Sequence, residues 1–210
     1  MREAIVVLDA EGVEALTMRK LGARLNAGAT SAYRHVANRE ELVELAVDAV
    51  LGEVVLPEPE GAVGCGGSGW RAAVSECARS FRATAIRHPW LCAELGRSGL
   101  SHEGPNLSAL SAGLTRLFDG VGLADVPGAI DAGFAYAVGM STTESAWLTT
   151  VARSGLTEAE FVARSLPAGP GTAETHRQLL RDPAAFRDRK FAAGLDILLD
   201  GLTTRLPHRT

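Results

Sequence analysis

Thr30, Ser31, Tyr33, Arg34 and His35 bring two hydroxyls, a phenol, a guanidinium and an imidazole into one short segment, "GATSAYRHVANREEL", with Arg39 close behind. Each of these groups can donate a hydrogen bond to a phosphate oxygen or a base edge in a DNA groove. The surrounding charge points the same way. Residues 17–39 hold Arg19, Lys20, Arg24, Arg34 and Arg39 but no Asp or Glu, so this block is +5 in a chain of net charge −4, which leaves −9 for the remainder. A local positive excess on an acidic background is the pattern of a surface aimed at a polyanion. Taken as composition alone, the same residues also fit an ordinary solvated helix with Tyr33 partly packed.

Other patterns with chemical potential lack their context. Gly64, Gly66 and Gly69 spell GxGxxG before a helix, but a dinucleotide site needs a preceding strand, and a Pro-rich acidic stretch stands there instead. A linker loop is expected. His88 and Cys92 are four apart with Pro89 breaking the helix between them, and no further ligands converge by spacing. "GRSGL" and "GMSTT" both lack the last glycine of GxSxG, so no hydrolase nucleophile is found. No catalytic residue, metal site or cofactor is expected, and the chain is read as a non-enzyme. Three cysteines without a CxxC pair fit a reducing cytoplasm. The sequence has no membrane-length apolar run and no signal-peptide pattern at its start, so a cytoplasmic protein without a membrane partner is expected.

The elements that must position these residues read as helices throughout, since apolar residues recur at spacings of three and four and alternating β-branched runs are missing. The expected fold is all-α. A first helix runs from about Arg2 to Ala10, with Ile5, Val6 and Leu8 near its buried face and Gly12 as its stop. Thr17 caps a second, Met18 to Leu25. The turn "NAG" (26–28) leads to a short helix from Ala29 to His35 or Val36, and Asn38 caps a further helix from Arg39 to about Val54. "PEPEGAVGCGGSG" is a loop. Beyond it helices are expected over 70–87, from Pro89, and over 108–119, 125–151, 157–164, 175–181 and 186–205. Helix, turn and short helix together form a helix-turn-helix that coincides with the basic block.

These residues resemble the tetracycline-repressor (TetR) family of bacterial transcriptional regulators. The pattern "EGVEALTMRKLGARLNAGATSAYRHVANREEL" (11–42) is similar to that family's DNA-binding segment nearly end to end, and "WRAAVSECARSFRATAIRHPWL" resembles, more loosely, the start of the ligand-binding region in its antibiotic-regulator branch. The resemblance implies three DNA-binding helices, a connecting fourth, and a larger helical bundle that binds a ligand and dimerises. Residues 1–48 would be the helix-turn-helix domain and 49–210 the effector-binding and dimerisation domain. Tyr33, His35 and Arg39 would hold phosphates. Arg19, Thr30, Ser31 and Arg34 would approach bases or adjoining phosphates, and Thr17 would cap the second helix near the backbone. Asn26 stands where the family usually has glycine, tolerable because Asn also visits the left-handed region. Ala32 replaces a usual leucine.

The function implied is a homodimeric repressor, released from a palindromic double-stranded DNA operator by a small hydrophobic effector. The alternatives are an all-helical small-molecule-binding protein or enzyme without DNA binding, or a family member acting as activator. Large apolar and aromatic residues on the long helices supply the expected pocket: Phe81, Trp90, Leu114, Phe118, Phe134, Tyr136, Met140 and Trp147, with Thr143 and Glu144 as orienting groups. Phe191, Leu195, Leu198 and Leu202 form the stripe expected to meet a second subunit, while Ile197 and Leu199 leave apolar surface on other sides of the same helix.

Overall fold

The computed structural model describes residues 1–26, 36–57, 69–98, 104–165 and 173–207. Among them, every regular element is a helix: α1 (Arg2–Glu11), a 3-10 turn (Val13–Ala15), α2 (Met18–Arg24), α3 (Arg39–Leu51), α4 (Gly69–Arg87), α5 (Leu91–Ser98), α6 (Pro105–Val121), α7 (Val126–Ser154), α8 (Glu158–Ser165), α9 (Ala173–Arg181) and α10 (Pro183–Thr203). The short helix expected over 29–36 lies mostly outside the described residues, as does the glycine loop before Gly69. No helix among the described residues is long and apolar enough to cross a membrane.

The caps read from the sequence are in place. Gly12 ends α1 at φ +81°, its N–H donating to Leu8 O. Thr17 accepts from Lys20 N at the start of α2, and Asn38 accepts from Glu41 N at the start of α3. Asn26 sits at φ +49°, so a residue that tolerates the left-handed region fills the place of the usual glycine. The buried face of α1 is Ala4, Val7 and Leu8, with Val6 exposed, a rotation from the face expected.

Two apolar cores follow. The first gathers Leu8 of α1, Leu16, Leu21 of α2 and Val50 of α3 with Phe81 and Ala85 of α4 and Leu91 of α5, so the N-terminal helices and the larger bundle share one core. The second holds Trp70, Phe118, Val126, Phe191, Leu195 and Leu199, where α4, α6, α7 and α10 meet. Helix α3 runs unbroken across residue 48, the expected domain boundary.

A polar node ties the shared core together. His88 is buried, with Nδ1 2.7 Å from Asp9 Oδ1 on α1 and Nε2 3.4 Å from Glu53 Oε2 just past α3. Trp90 Nε1 donates to the same Asp9 oxygen at 2.7 Å. His88 is thus a strut between helices.

At the far end of the bundle, Arg82 of α4 donates from Nε and Nη2 to the two carboxylate oxygens of Glu144 on α7, at 2.6 and 2.7 Å. Arg187 of α10 donates to Glu144 at 2.8 Å and to Glu158 of α8. Asp188 takes the remaining face of Arg82 at 2.8 Å. Four helices are clamped by this network.

Candidate effector cavity and nucleic-acid interface

Of the residues expected to meet DNA, Thr30, Ser31, Tyr33, Arg34 and His35 lie outside the described residues. The other three can be placed. Thr17 spends its hydroxyl oxygen on the α2 cap at 3.1 Å. Arg19 is exposed and, among the described residues, has no ion pair, which leaves its guanidinium available to a phosphate. Arg39 is placed differently from the expectation. Its Nε donates to Leu16 O at 2.9 Å and its Nη2 to Val13 O at 2.7 Å, so the guanidinium ties down the carbonyls of the turn between α1 and α2. Glu14 and Glu40 flank it at 3.8 and 3.6 Å. Arginine's rigid fork reaches two carbonyls at once, and that use competes with a phosphate.

The basic block is also less bare than its sequence implies. Lys20 pairs with Glu11, and Arg24 Nε lies 3.0 Å from Glu3 Oε2, both acids coming from α1 outside the block. A run free of acids in sequence is neutralised in part by acids adjacent in space.

The larger bundle contains a cavity. Four helices and the stretch after α3 wall it: Val74, Cys77, Ala78 and Phe81 from α4; Leu110, Leu114 and Phe118 from α6; Ala129, Ile130, Gly133, Phe134 and Ala137 from α7; Leu195, Leu198 and Leu202 from α10; and Val54. The space open to the centre of a water molecule is about 60 Å³, room for a few waters. Among the described residues, no charged side chain lines it. Burial pushes the Cys77 thiol up to about 11, so it is a neutral, weakly polar wall group. Trp70 packs against Phe118 with ring centroids 5.9 Å apart, so an indole stands one side chain behind the wall.

Phe81, Leu114, Phe118 and Phe134 therefore line the cavity as expected, and six others do not. Trp90 is bound to Asp9 in the shared core. Tyr136 donates its hydroxyl to Phe191 O at 2.6 Å and fills the space over Gly194, where an added Cβ would come within 2.5 Å of the phenol oxygen. Met140 packs against the second core, and Thr143 is exposed and donates to Gly139 O in its own helix. Glu144 is held by two arginines rather than facing solvent or ligand. Trp147 donates to Glu158 at 2.6 Å and packs edge-on against Phe161. Met140, Glu144 and Trp147 lie on the cavity-side face of α7 but up to about 15 Å beyond Ala137, the last lining residue, at 1.5 Å per residue.

Phe191, Leu195 and Leu202 are buried inside their own subunit, and Leu195, Leu198 and Leu202 line the cavity, so the stripe expected to meet a second copy is consumed by the chain's own core. A helix packed on α7 from one side hides that stripe and leaves Ile197, 74% exposed, on the outside.

Among the described residues the chain is all helical, with capped N-terminal helices packed on a bundle that encloses an apolar cavity. Residues 64–206 match the family described as tetracyclin repressor-like, C-terminal domain. The chain is 32% identical over 213 residues to the HTH-type transcriptional repressor DrrR1 of Streptomyces coeruleorubidus, covering 98% of this chain and 76% of that protein. It is 38% identical over 148 residues to an HTH-type transcriptional regulator of Saccharopolyspora erythraea, a match that takes in 69% of this chain and spans 58% of the length of that relative. Among solved structures, it is similar to the Streptomyces coelicolor TetR family protein ActR in complex with actinorhodin, with 29% identity, a TM-score of 0.70 and coverage of 98% of this chain and 93% of that one. ActR in complex with (S)-DNPA gives 31% identity, a TM-score of 0.68 and coverage of 97% and 95%. The chain belongs to the TetR family, whose members are regulators and not enzymes.

Proposed function

We propose that the chain is a cytoplasmic transcriptional repressor that binds a double-stranded DNA operator as a homodimer and is released by a small hydrophobic effector. The observation that carries this reading is the cavity: an apolar space inside a bundle whose core is continuous with that of the N-terminal helices. ActR, solved with actinorhodin, and DrrR1, named as a repressor, support the same role here. Residues 1–48 read DNA and residues 49–210 hold the effector and the second subunit, with α3 crossing between them as one helix. An uncharged, ring-containing molecule suits a wall without charged groups, because a buried ion there would have no partner. The effector shifts the protein toward release only through its greater affinity for the released conformation.

Gly133 offers the test. An added Cβ there meets nothing within 4 Å, and the residue lines the cavity within a helix, so the side chain of Gly133→Leu starts into open space and takes up part of the cavity, and the change gains about 0.8 kcal/mol of helix propensity. The variant is expected to keep its fold and to weaken uptake of neutral polycyclic aromatics at least tenfold, read by tryptophan fluorescence alongside release of the DNA flanking its own gene. Unchanged uptake would place the effector elsewhere.

The second subunit is assigned to the outer faces of α7 and α10. Ala132, Ala135, Gly139, Ala146 and Thr150 form an exposed stripe of small uncharged residues on α7, and Ala193 and Gly201 flank Ile197 on the exposed face of α10, with Thr204 at its C-cap. Small residues let two helix pairs approach closely, with Ile197 as the apolar anchor. Ile197→Asp is expected to convert a dimer into a monomer at micromolar concentration in sedimentation. A wild-type protein that is already monomeric there sinks the assignment.

A further inference from the structure

Helix α6 presents Leu110, Leu114 and Phe118 to the cavity at successive turns, yet its own N-terminus lacks a side-chain cap. Its N-cap is Gly104 and its first residue is Pro105, so the next two N–H groups need acceptors. Both find the same one on another helix. Asp48 of α3 accepts from Asn106 N at 3.0 Å and Leu107 N at 3.1 Å through Oδ1, and from Asn106 Nδ2 at 2.9 Å through Oδ2. The approach is close on both sides. A Cβ at Gly104 would collide with the Asp48 carboxylate, and one at Gly52, the C-cap of α3, would come within 2.9 Å of Asn106 Oδ1. The cavity itself reaches Val54, three residues beyond the end of α3.

We propose that Asp48 is the positioning residue through which an occupant of the cavity acts on the DNA-binding helices. An occupant larger than the present space displaces the wall formed by Leu110, Leu114 and Phe118. Helix α6 then moves as a unit, and the carboxylate that caps it draws the C-terminal end of α3 along. The N-terminal end of α3, capped by Asn38, adjoins the segment of 29–35 that carries the expected DNA contacts. The half-buried position of Asp48 suits a joint that shifts, since water can replace its bonds as they open. The buried His88 node lacks that freedom: separating it would strand polar groups in the core. This inference rests on the effector reading of the cavity, and it names how that site is coupled.

The test uses N-phenyl-1-naphthylamine, a neutral fluorescent probe of the cavity, on the full chain. Probe affinity is read from fluorescence, and the response of the DNA-binding helices from amide hydrogen exchange over residues 39–47. In the wild type, probe saturation is expected to change exchange over 39–47 at least fivefold. In Asp48→Ala the probe binds within about twofold of wild type while that response is lost, consistent with couplings that commonly amount to about 5–150-fold. Asp48→Asn, which keeps an acceptor but not the charge, should retain part of the response and covers the case in which alanine unfolds the protein, as checked by melting. A response in Asp48→Ala equal to that of the wild type overturns the proposal, as does a wild type that binds probe without responding. Failure of the probe to bind the wild type instead removes the effector reading along with the coupling, and is recognised by the absence of both signals.

Discussion

Replacing Glu144 by alanine is expected to cost about 3 kcal/mol of stability, the low end of the range for breaking a buried ion pair by removing one partner. Its side chain is 9% exposed and receives three guanidinium hydrogen bonds, two from Arg82 and one from Arg187. Hydrogen bonding to Glu144 is the largest influence raising the Arg82 pKa above its ordinary range, and Arg82 also lies 5.1 Å over the Phe191 ring. Burial works against the charge on Arg187, and its bonds to Glu158 and Glu144 outweigh that. Removing Glu144 strands part of both arginines, but Asp188 and Glu158 remain, which keeps the loss at the low end. For a chain of this length the expected fall in melting temperature is about 6–12 °C. A loss below about 1 kcal/mol would mean that water already solvates the network.

Arg39→Ala is expected to lower stability by about 2–3 kcal/mol, because hydrogen bonds from a charged donor contribute about 1.5–3 kcal/mol each and this side chain is 27% exposed. The carbonyls of Val13 and Leu16 lose the guanidinium, Val13 O keeping only its backbone bond from Leu16 N, and the turn that sets α1 against α2 loosens. DNA affinity then falls for all sequences by similar factors, while the slope of log K against log salt concentration stays the same. A guanidinium seated on a phosphate would instead make that slope shallower by about 0.9 per protomer. A salt series with a melting curve separates the two roles, and an unchanged melting curve with a shallower slope would restore Arg39 to the DNA. Arg39→Lys should not rescue, since an ammonium cannot serve both carbonyls with the geometry of the fork.

Much of the fold was legible because caps and stops are local. Thr17, Asn38 and Gly12 each mark a helix end by chemistry confined to a few residues. Helix α6 begins three residues before the expected Ser108 and α10 three before Phe186, each opened by a proline at its first position whose fixed φ suits that place. The cavity was harder to read. Searching for large aromatics finds walls and core alike, whereas space opens where side chains are small, and Ala78, Ala129, Gly133 and Ala137 were passed over for that reason. The role of Arg39 depends on carbonyls 23 and 26 residues away, and that of Asp48 on amides 58 and 59 away. No local pattern encodes such partners.

The pairing of Lys20 with Glu11 and of Arg24 with Glu3 bears on how quickly an operator is found. Side chains of residues 1–48 number six basic against eight acidic. Binding to random DNA draws nearly all of its free energy from counterions released by basic side chains. A reading head in which two of the cations are already engaged by its own carboxylates releases fewer counterions and leaves a wrong site sooner. With about 10⁶–10⁹ competing sites in a genome, a short stay on each keeps more copies free in solution. Fewer molecules per cell then suffice to keep one operator occupied.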